Sequence, residues 1–166
     1  MAENFDKVSV FKQIMGEYPT GVTIVTTIDE EDNPVGLTVN SFASVSIEPL
    51  LVLWCIDKRV SSYDAFIKAE NFAVHTLSEN QADACWAFAG KETDRFSKVN
   101  WKKSENDLPI IMESLGLLEC KTVQQIDAGD HTILIGEVIN ISKQDKSPLM
   151  YYSRNIGGIP ANWLNK

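Results

Sequence analysis

VTIVTTIDEEDNPVGLTVNSFASV, residues 22–45, is the stretch that decides the fold. Residues 22–27 are β-branched throughout, the side-chain type that suits a pleated, half-buried surface. The acidic run Asp29-Glu30-Glu31-Asp32-Asn33-Pro34 interrupts them with turn formers, and residues 35–45 then read as the returning strand of a hairpin. On that second strand Thr38, Asn40, Ser44 and Ser46 fall at period two on one face, and Leu37, Val39 and Val45 on the other. Such a polar face can grip the edge of a heterocycle, and it equally fits a strand that simply faces water.

Working outward, residues 5–17 put Val8, Phe11, Ile14 and Met15 on one side of a helix, which Tyr18-Pro19-Thr20-Gly21 stops. Residues 50–56 form a continuous apolar run and predict a strand buried on both faces. A short helix is expected over residues 61–67, with Ser61 and Asp64 at capping-box spacing, then a strand over 71–77. Ser78, with Gln81 three residues on, opens a second helix that residues 82–89 carry to Gly90 as a C′ residue. Residues 117–142 return to strands around the turn Asp127-Ala128-Gly129-Asp130. Five or six hairpin-linked strands with short helices predict a mainly β protein, a small closed barrel with helical additions rather than an alternating βαβ sheet.

Length and composition narrow the partners. At 166 residues and 18.5 kDa, with no linker or repeat, the chain is expected to form one domain spanning 1–166. A net charge of -8 and a pI near 4.7 speak against nucleic acid, whose binding runs on clustered Lys and Arg. The longest apolar run is a third of a bilayer span and the N-terminus lacks a signal pattern, so no membrane partner and a cytoplasmic location are expected. Cys55, Cys85 and Cys120 are odd in number and irregularly spaced, which suits thiols in a reducing compartment. With only His75 and His131 beside them, no metal site is expected. Neither G-x-G-x-x-G nor G-x-x-x-x-G-K-[ST] occurs, so any dinucleotide here is not held by a Rossmann half.

Four further stretches carry chemistry. In Cys55-Ile56-Asp57-Lys58-Arg59-Val60-Ser61-Ser62-Tyr63 an apolar strand ends in a basic pair and two serines at a helix start, a place for an anion or for simple capping. Lys91, Arg95 and Lys98 stand close together beside Phe96 in an otherwise acidic chain; Arg95 offers a forked phosphate contact that a lysine cannot copy, and the stretch also fits a solvated loop. Tyr151-Tyr152-Ser153-Arg154 adds two rings and a cation, which serve a core edge or dimer contact as readily as a cofactor. DAGDHTILIGEV, residues 127–138, places His131 where a tight turn becomes a strand.

Taken in order, these stretches resemble the short-chain flavin reductases, the small components of two-component flavin-dependent monooxygenases. The likeness rests on Tyr18-Pro19-Thr20-Gly21-Val22, Gly36-Leu37-Thr38-Val39-Asn40-Ser41-Phe42, Pro49-Leu50-Leu51-Val52 leading to Cys55-Ile56-Asp57-Lys58, Ser61-Ser62-Tyr63, Asn71-Phe72-Ala73-Val74, Asp94-Arg95-Phe96, and Gly129-Asp130-His131-Thr132 running into Gly136-Glu137-Val138. It covers a core of about residues 11–154, and residues 155–166 match no function. The resemblance implies a homodimeric split β-barrel that reduces FMN or FAD with NADH or NADPH. It also implies a separate flavin-dependent monooxygenase that receives the reduced flavin by diffusion.

The same resemblance sets the ring against Thr38, Val39, Asn40 and Ser41 and against Cys55, Ile56 and Asp57. It sets the flavin phosphate near Ser61, Ser62, Lys91, Arg95 and Phe96, and the nicotinamide beside His131, with Tyr152 and Arg154 as looser matches. No acid or base is implied, because hydride transfer runs on alignment of two rings. The rival function is a non-catalytic FMN-binding carrier or sensor of the same fold, which needs no nucleotide contact at His131.

Overall fold

The computed structural model describes residues 6–91 and 94–163. In chain order its elements are α1 (Lys7–Gly16), β1 (Thr20–Gly21), β2 (Thr23–Ile28), β3 (Pro34–Val39), β4 (Ala43–Ser46), β5 (Leu51–Asp57), α2 (Tyr63–Lys68), β6 (Asn71–Thr76), α3 (Ala82–Ala89), β7 (Trp101–Lys103), β8 (Pro109–Ile111), β9 (Gly116–Ala128), β10 (His131–Lys143), β11 (Met150–Tyr152) and β12 (Asn155–Gly157). The first predicted hairpin is present: Asp29 closes its turn by accepting N–H bonds from Glu31 and Asn33, both at 2.9 Å, and Asp32 takes φ 64°.

Seven strands form one antiparallel sheet in the order β3-β2-β6-β9-β10-β5-β4. Its two edges, β3 and β4, are neighbours in the chain, joined only by residues 40–42. Laid flat, strands at positions one and seven would stand about 29 Å apart. The four Cα steps from Val39 to Ala43 reach about 15 Å at most. The sheet therefore curls until its edges approach, giving a barrel split between β3 and β4.

Here the predicted returning strand needs correction. Residues 35–45 are one extended run in sequence but two strands in space, because the chain changes partners at residues 40–42, pairing with β2 before them and with β5 after. The burial prediction for residues 50–56 also fails. On β5 only Val52, Trp54 and Ile56 are buried, while Leu51, Leu53 and Cys55 are half-buried on the other face. Burial on both faces belongs instead to β2, whose residues 23–27 are all buried. Its inner side chain Val25 enters the barrel core, while Ile24 joins the layer under α3. The strand count was low as well, since short edge strands such as β1, β7, β8, β11 and β12 carry too few residues for a periodic signal.

Inside the barrel, Trp54 meets Phe66 and Phe72 edge-on, with centroids 5.0 and 5.9 Å apart. Gly136 lets β10 approach this cluster, since a Cβ there would lie 2.4 Å from the Phe72 ring. Outside, α3 is seated by Ala84, Cys85 and Phe88 against Val22, Ile24, Leu77 and Leu149. The Ser78–Gln81 capping box forms at its start as expected, through one turn of 3-10 helix. Gly90 follows α3 with φ -73°, so this helix end makes no left-handed demand on it. The Ser61–Asp64 box does not form: Ser62 is the N-cap of α2 and makes no side-chain capping bond.

α1 begins at Lys7 with Asp6 as its cap, and Phe5 of the predicted helix lies outside the described residues. None of its residues is buried: Val8, Phe11, Ile14 and Met15, the predicted apolar side, are 46–63% exposed. Residues 155–163 form β12 against β11 and a terminal 3-10 turn.

Candidate functional site

β5 leads out of the core toward the barrel mouth and sets the site in order. Ser41, in the link between the two edges, donates its hydroxyl to the Cys55 carbonyl at 3.2 Å and accepts the Cys55 N–H at 2.9 Å. It thus adds a side-chain rung above the Ala43–Leu53 pair. Burial raises the Cys55 thiol above its ordinary pKa, so it stays protonated and is no nucleophile. Ile56 is fully buried in the core, which leaves only its main chain for any ligand. Asp57, the last residue of β5, holds Arg59 through Oδ1 to Nε at 3.0 Å and Oδ2 to Nη2 at 2.6 Å. The Arg59 bonds keep its carboxyl well below the usual carboxylate range.

The chain then turns through Val60, whose N–H donates to the Asp57 carbonyl, into Ser61 and Ser62. These two serines share a cavity of about 850 Å³ with Gly36, Lys91, Arg95 and Phe96. Arg95 reaches it by donating to the Gly36 carbonyl at 2.5 Å and the Gly90 carbonyl at 2.7 Å, so β3, the end of α3 and the following loop are fastened at one point. Phe96 lines the same wall and packs edge-on to Phe88 and Trp101, at 5.0 and 5.3 Å. Glu92 and Thr93 of this stretch lie outside the described residues. The same cavity is also lined by six acids, Asp29, Glu30, Glu31, Asp64, Glu70 and Asp107, and by Lys68.

His131 sits across from Asp57 in the β10–β5 register, one residue after the Gly129–Asp130 turn in which Gly129 takes φ 66°. Its Nδ1 lies 2.7 Å from Asp130 Oδ1 and its side chain is 42% exposed. The other histidine is entirely different. His75 on β6 is fully buried, its Nε2 accepts the Ile111 N–H at 3.0 Å, and its Nδ1 therefore donates to the Ile24 carbonyl at 3.0 Å. Burial lowers its pKa to about 4, so it is neutral and structural.

The structure therefore joins Ser41 to Cys55, Asp57 to His131, and Ser61 and Ser62 to Lys91, Arg95 and Phe96. It does not join everything. The strand expected to present four polar groups on one face is broken, and two of its side chains are already engaged: Thr38 Oγ1 donates to the Cys85 carbonyl at 2.7 Å, and Ser41 bonds Cys55. Val39 packs against the core cluster. Asn40 lines a different, small cavity of about 110 Å³ with Phe42, Thr20 and Leu149. What the barrel split offers near residues 38–41 is main-chain N–H and C=O at a sheet edge, which needs partners whatever side chains stand there.

Tyr152 and Arg154 belong to a separate three-stranded sheet, β1-β11-β12, and among the described residues no hydrogen bond or ion pair links them to His131. Ser153 and Arg154 take φ 50° and 65° as the chain reverses between β11 and β12. Sequence reasoning passed over Asn71, which lines the large cavity, and Lys58, which ties β5 to the His131 turn. The signal for Lys58 was available: a cation follows the β5 run and acids stand at the hairpin turn it reaches.

A mainly β split barrel with a polar cavity lined by both cations and acids, and no glycine-rich phosphate loop, defines a class of barrels unlike the Rossmann folds. Comparison with known proteins makes this specific: the flavin reductase like domain matches residues 15–160, and the chain belongs to that family. It is 42% identical over 147 residues to the reductase component of a flavin-dependent trigonelline monooxygenase from Acinetobacter baylyi, covering 89% of this chain and 47% of that protein. This chain thus spans about half the length of that relative. It is 41% identical over 141 residues to the FMN reductase (NADH) SmoA of Agrobacterium fabrum, covering 85% of this chain and 80% of that one. Among solved structures, the NADH:FAD oxidoreductase SgcE6 of Streptomyces globisporus, in complex with NAD and FAD fragments, superposes with a TM-score of 0.88 at 32% identity, covering 98% of each chain.

Among the described residues, no group of three or more His, Cys, Asp and Glu side chains is arranged to hold a metal ion, and no helix is long and apolar enough to cross a membrane.

Proposed function

We propose that this protein is an NAD(P)H:flavin oxidoreductase that passes reduced FMN or FAD by diffusion to a separate flavin-dependent monooxygenase. The observation that carries the reading is the cavity in which Ser61, Ser62, Lys91 and Arg95 converge, with Ser61 following closely on Asp57, the β5 residue that pairs with His131. Two hydroxyls and two cations are the kind of donor set a flavin phosphate needs, with Arg95 contributing its charge from a guanidinium already anchored on the Gly36 and Gly90 carbonyls. Among the described residues Lys91 makes no ion pair and the Ser62 hydroxyl makes no capping bond, so both are available to an anion.

Bound flavin supplies the hydride acceptor, and the protein's part is to hold and orient. Ser61, Ser62, Lys91 and Arg95 hold the phosphate, and the main chain at residues 39–41 and 55–57 borders the ring. His131 positions the nicotinamide nucleotide. On this reading hydride transfer runs on the alignment of two rings and asks no side chain to act as acid or base. Tyr152 and Arg154, in the β11–β12 hairpin, stay the looser candidates for the nucleotide.

We read residues 1–166 as a single domain of the family that works as a homodimer. The apolar side of α1, with Val45, Ile47, Leu50, Ile139 and Ile141, is a quantity of exposed hydrophobic surface that a monomer seldom leaves bare. A second copy of the chain would cover it. Three free thiols fit a cytoplasmic location.

The test is direct. Protein mixed with NADH or NADPH and free FMN, FAD or riboflavin is followed at the nicotinamide absorbance band, and catalytic decay is expected with at least one pair. A protein that takes up flavin yet gives no decay with either nucleotide is a carrier or sensor, and the reductase reading fails.

A further inference from the structure

One residue fastens the turn that carries His131. The Lys58 N–H donates to the Asp130 carbonyl at 3.0 Å, its ammonium donates to the Gly129 carbonyl at 2.8 Å, and the same ammonium pairs with the Asp127 carboxylate. Three bonds from two nitrogens of one lysine thus reach three of the four residues before His131. Neither Lys58 nor Asp127 lines the large cavity. Within the turn, the imidazole is set by Asp130. That carboxyl is held below its ordinary range by the bond to His131, so it is ionised and can only accept. Nδ1 must then be the donor in the 2.7 Å contact, and in the neutral ring Nε2 is left as an acceptor.

We infer that Lys58 and Asp130 are positioning residues for nucleotide recognition: Lys58 fixes the place of the His131 turn, and Asp130 fixes its tautomer, so that Nε2 accepts a hydrogen bond from the carboxamide NH2 of the nicotinamide. This rests on the reductase reading and narrows it. In that tautomer Nε2 carries no proton for a phosphate, which needs a donor, whereas the carboxamide NH2 needs an acceptor. Lys58 acts through His131 and touches no substrate.

The experiment is a cycle of four full-length proteins: wild type, Lys58→Met, His131→Ala and the double variant. KM and kcat are measured with NADH and with reduced 3-acetylpyridine adenine dinucleotide, whose acetyl group lacks the NH2. Lys58→Met is expected to raise the KM for NADH about fivefold, near the net worth of one hydrogen bond, with little change in kcat. In the His131→Ala background it is expected to add nothing, and Lys58→Arg is expected to restore most of the loss. His131→Ala is expected to raise the KM for NADH and leave that for the acetylpyridine analogue unchanged. Long-range 1H–15N spectra of the wild type are expected to show His131 protonated on Nδ1.

Additive penalties in the double variant overturn the role of Lys58. An equal His131→Ala penalty on both nucleotides, or a spectrum with the proton on Nε2, overturns the carboxamide contact. These results leave an active reductase. A wild type that oxidises neither nucleotide removes the reductase reading itself, and the spectrum still decides the tautomer.

Discussion

The two histidines divide the molecule into a sealed side and an open one. His75 lies where β2, β6 and β8 meet, and both ring nitrogens are used by main-chain groups of Ile24 and Ile111. Near it Glu119, 2% exposed, is satisfied by the Ser104 hydroxyl at 2.7 Å, the Asn106 amide at 2.9 Å and the Asn140 amide at 2.6 Å. His131 lies at a hairpin end, where one nitrogen meets an exposed carboxylate and the other meets no protein group among the described residues. The same side chain is a structural strut in one place and, on the proposed reading, a recognition group in the other. The difference comes from how many of its bonds the fold has already used.

That contrast can be broken by mutation. The largest effect is expected from His75→Ala, which opens a cavity and leaves the Ile24 carbonyl and Ile111 N–H unpaired in a dry interior. A loss of about 3–5 kcal/mol is expected from urea unfolding, with flavin uptake retained by the fraction that folds. A loss within a few tenths of a kcal/mol would mean that this region is not sealed.

Acid gives the next effect. His75 has a folded pKa of about 4 against an ordinary 6.5, so below 6.5 the unfolded chain binds the proton more readily and stability falls as pH falls. The 2.5-unit difference corresponds to about 3 kcal/mol lost between pH 6.5 and 4. Glu119 acts with the same sign: burial pulls its pKa up, but its three hydrogen bonds bring it below the ordinary value. Its contribution is present above the ordinary carboxylate pKa and disappears as pH falls through the lowered one. The urea midpoint measured from pH 7 to 4 checks this, and His75→Gln is expected to flatten the upper part of the curve.

On the open side the effects move from stability to binding. Arg95→Lys keeps the charge and loses the fork to Gly36 and Gly90, and flavin affinity by equilibrium titration is expected to weaken about tenfold. His131→Ala is expected to raise nucleotide KM about tenfold while leaving the urea midpoint unchanged, since an exposed side chain contributes little to folding. The smallest effect is expected from Lys103→Met. It breaks surface pairs with Asp32 and Asp107, whose measured contribution to the midpoint should be nil.

Much of this was readable beforehand, for identifiable reasons. The β2–β3 hairpin, the Ser78–Gln81 cap and the β9–β10 turn are local patterns, and a local pattern carries its own geometry. Ser61, Ser62, Lys91, Arg95 and Phe96 were named together from a family resemblance, and the fold gathers them in one cavity although 35 residues separate the first from the last. The failures share a different cause. Whether residues 35–45 are one strand or two depends on which neighbours they pair with, and which face of β5 is buried depends on what packs against it. Neither fact is written in the residues concerned. The Thr38 and Ser41 hydroxyls looked free because their partners, Cys85 and Cys55, lie 47 and 14 positions away.

Residues 40–42 work as a gauge for the whole mouth. A chain this short fixes how far two sheet edges can drift apart, so the width of the slot is a matter of covalent length and depends little on packing strength. Lengthening it by a pair of glycines would leave every other strand its partner and still unset the opening, a lever on cofactor size that touches no binding group.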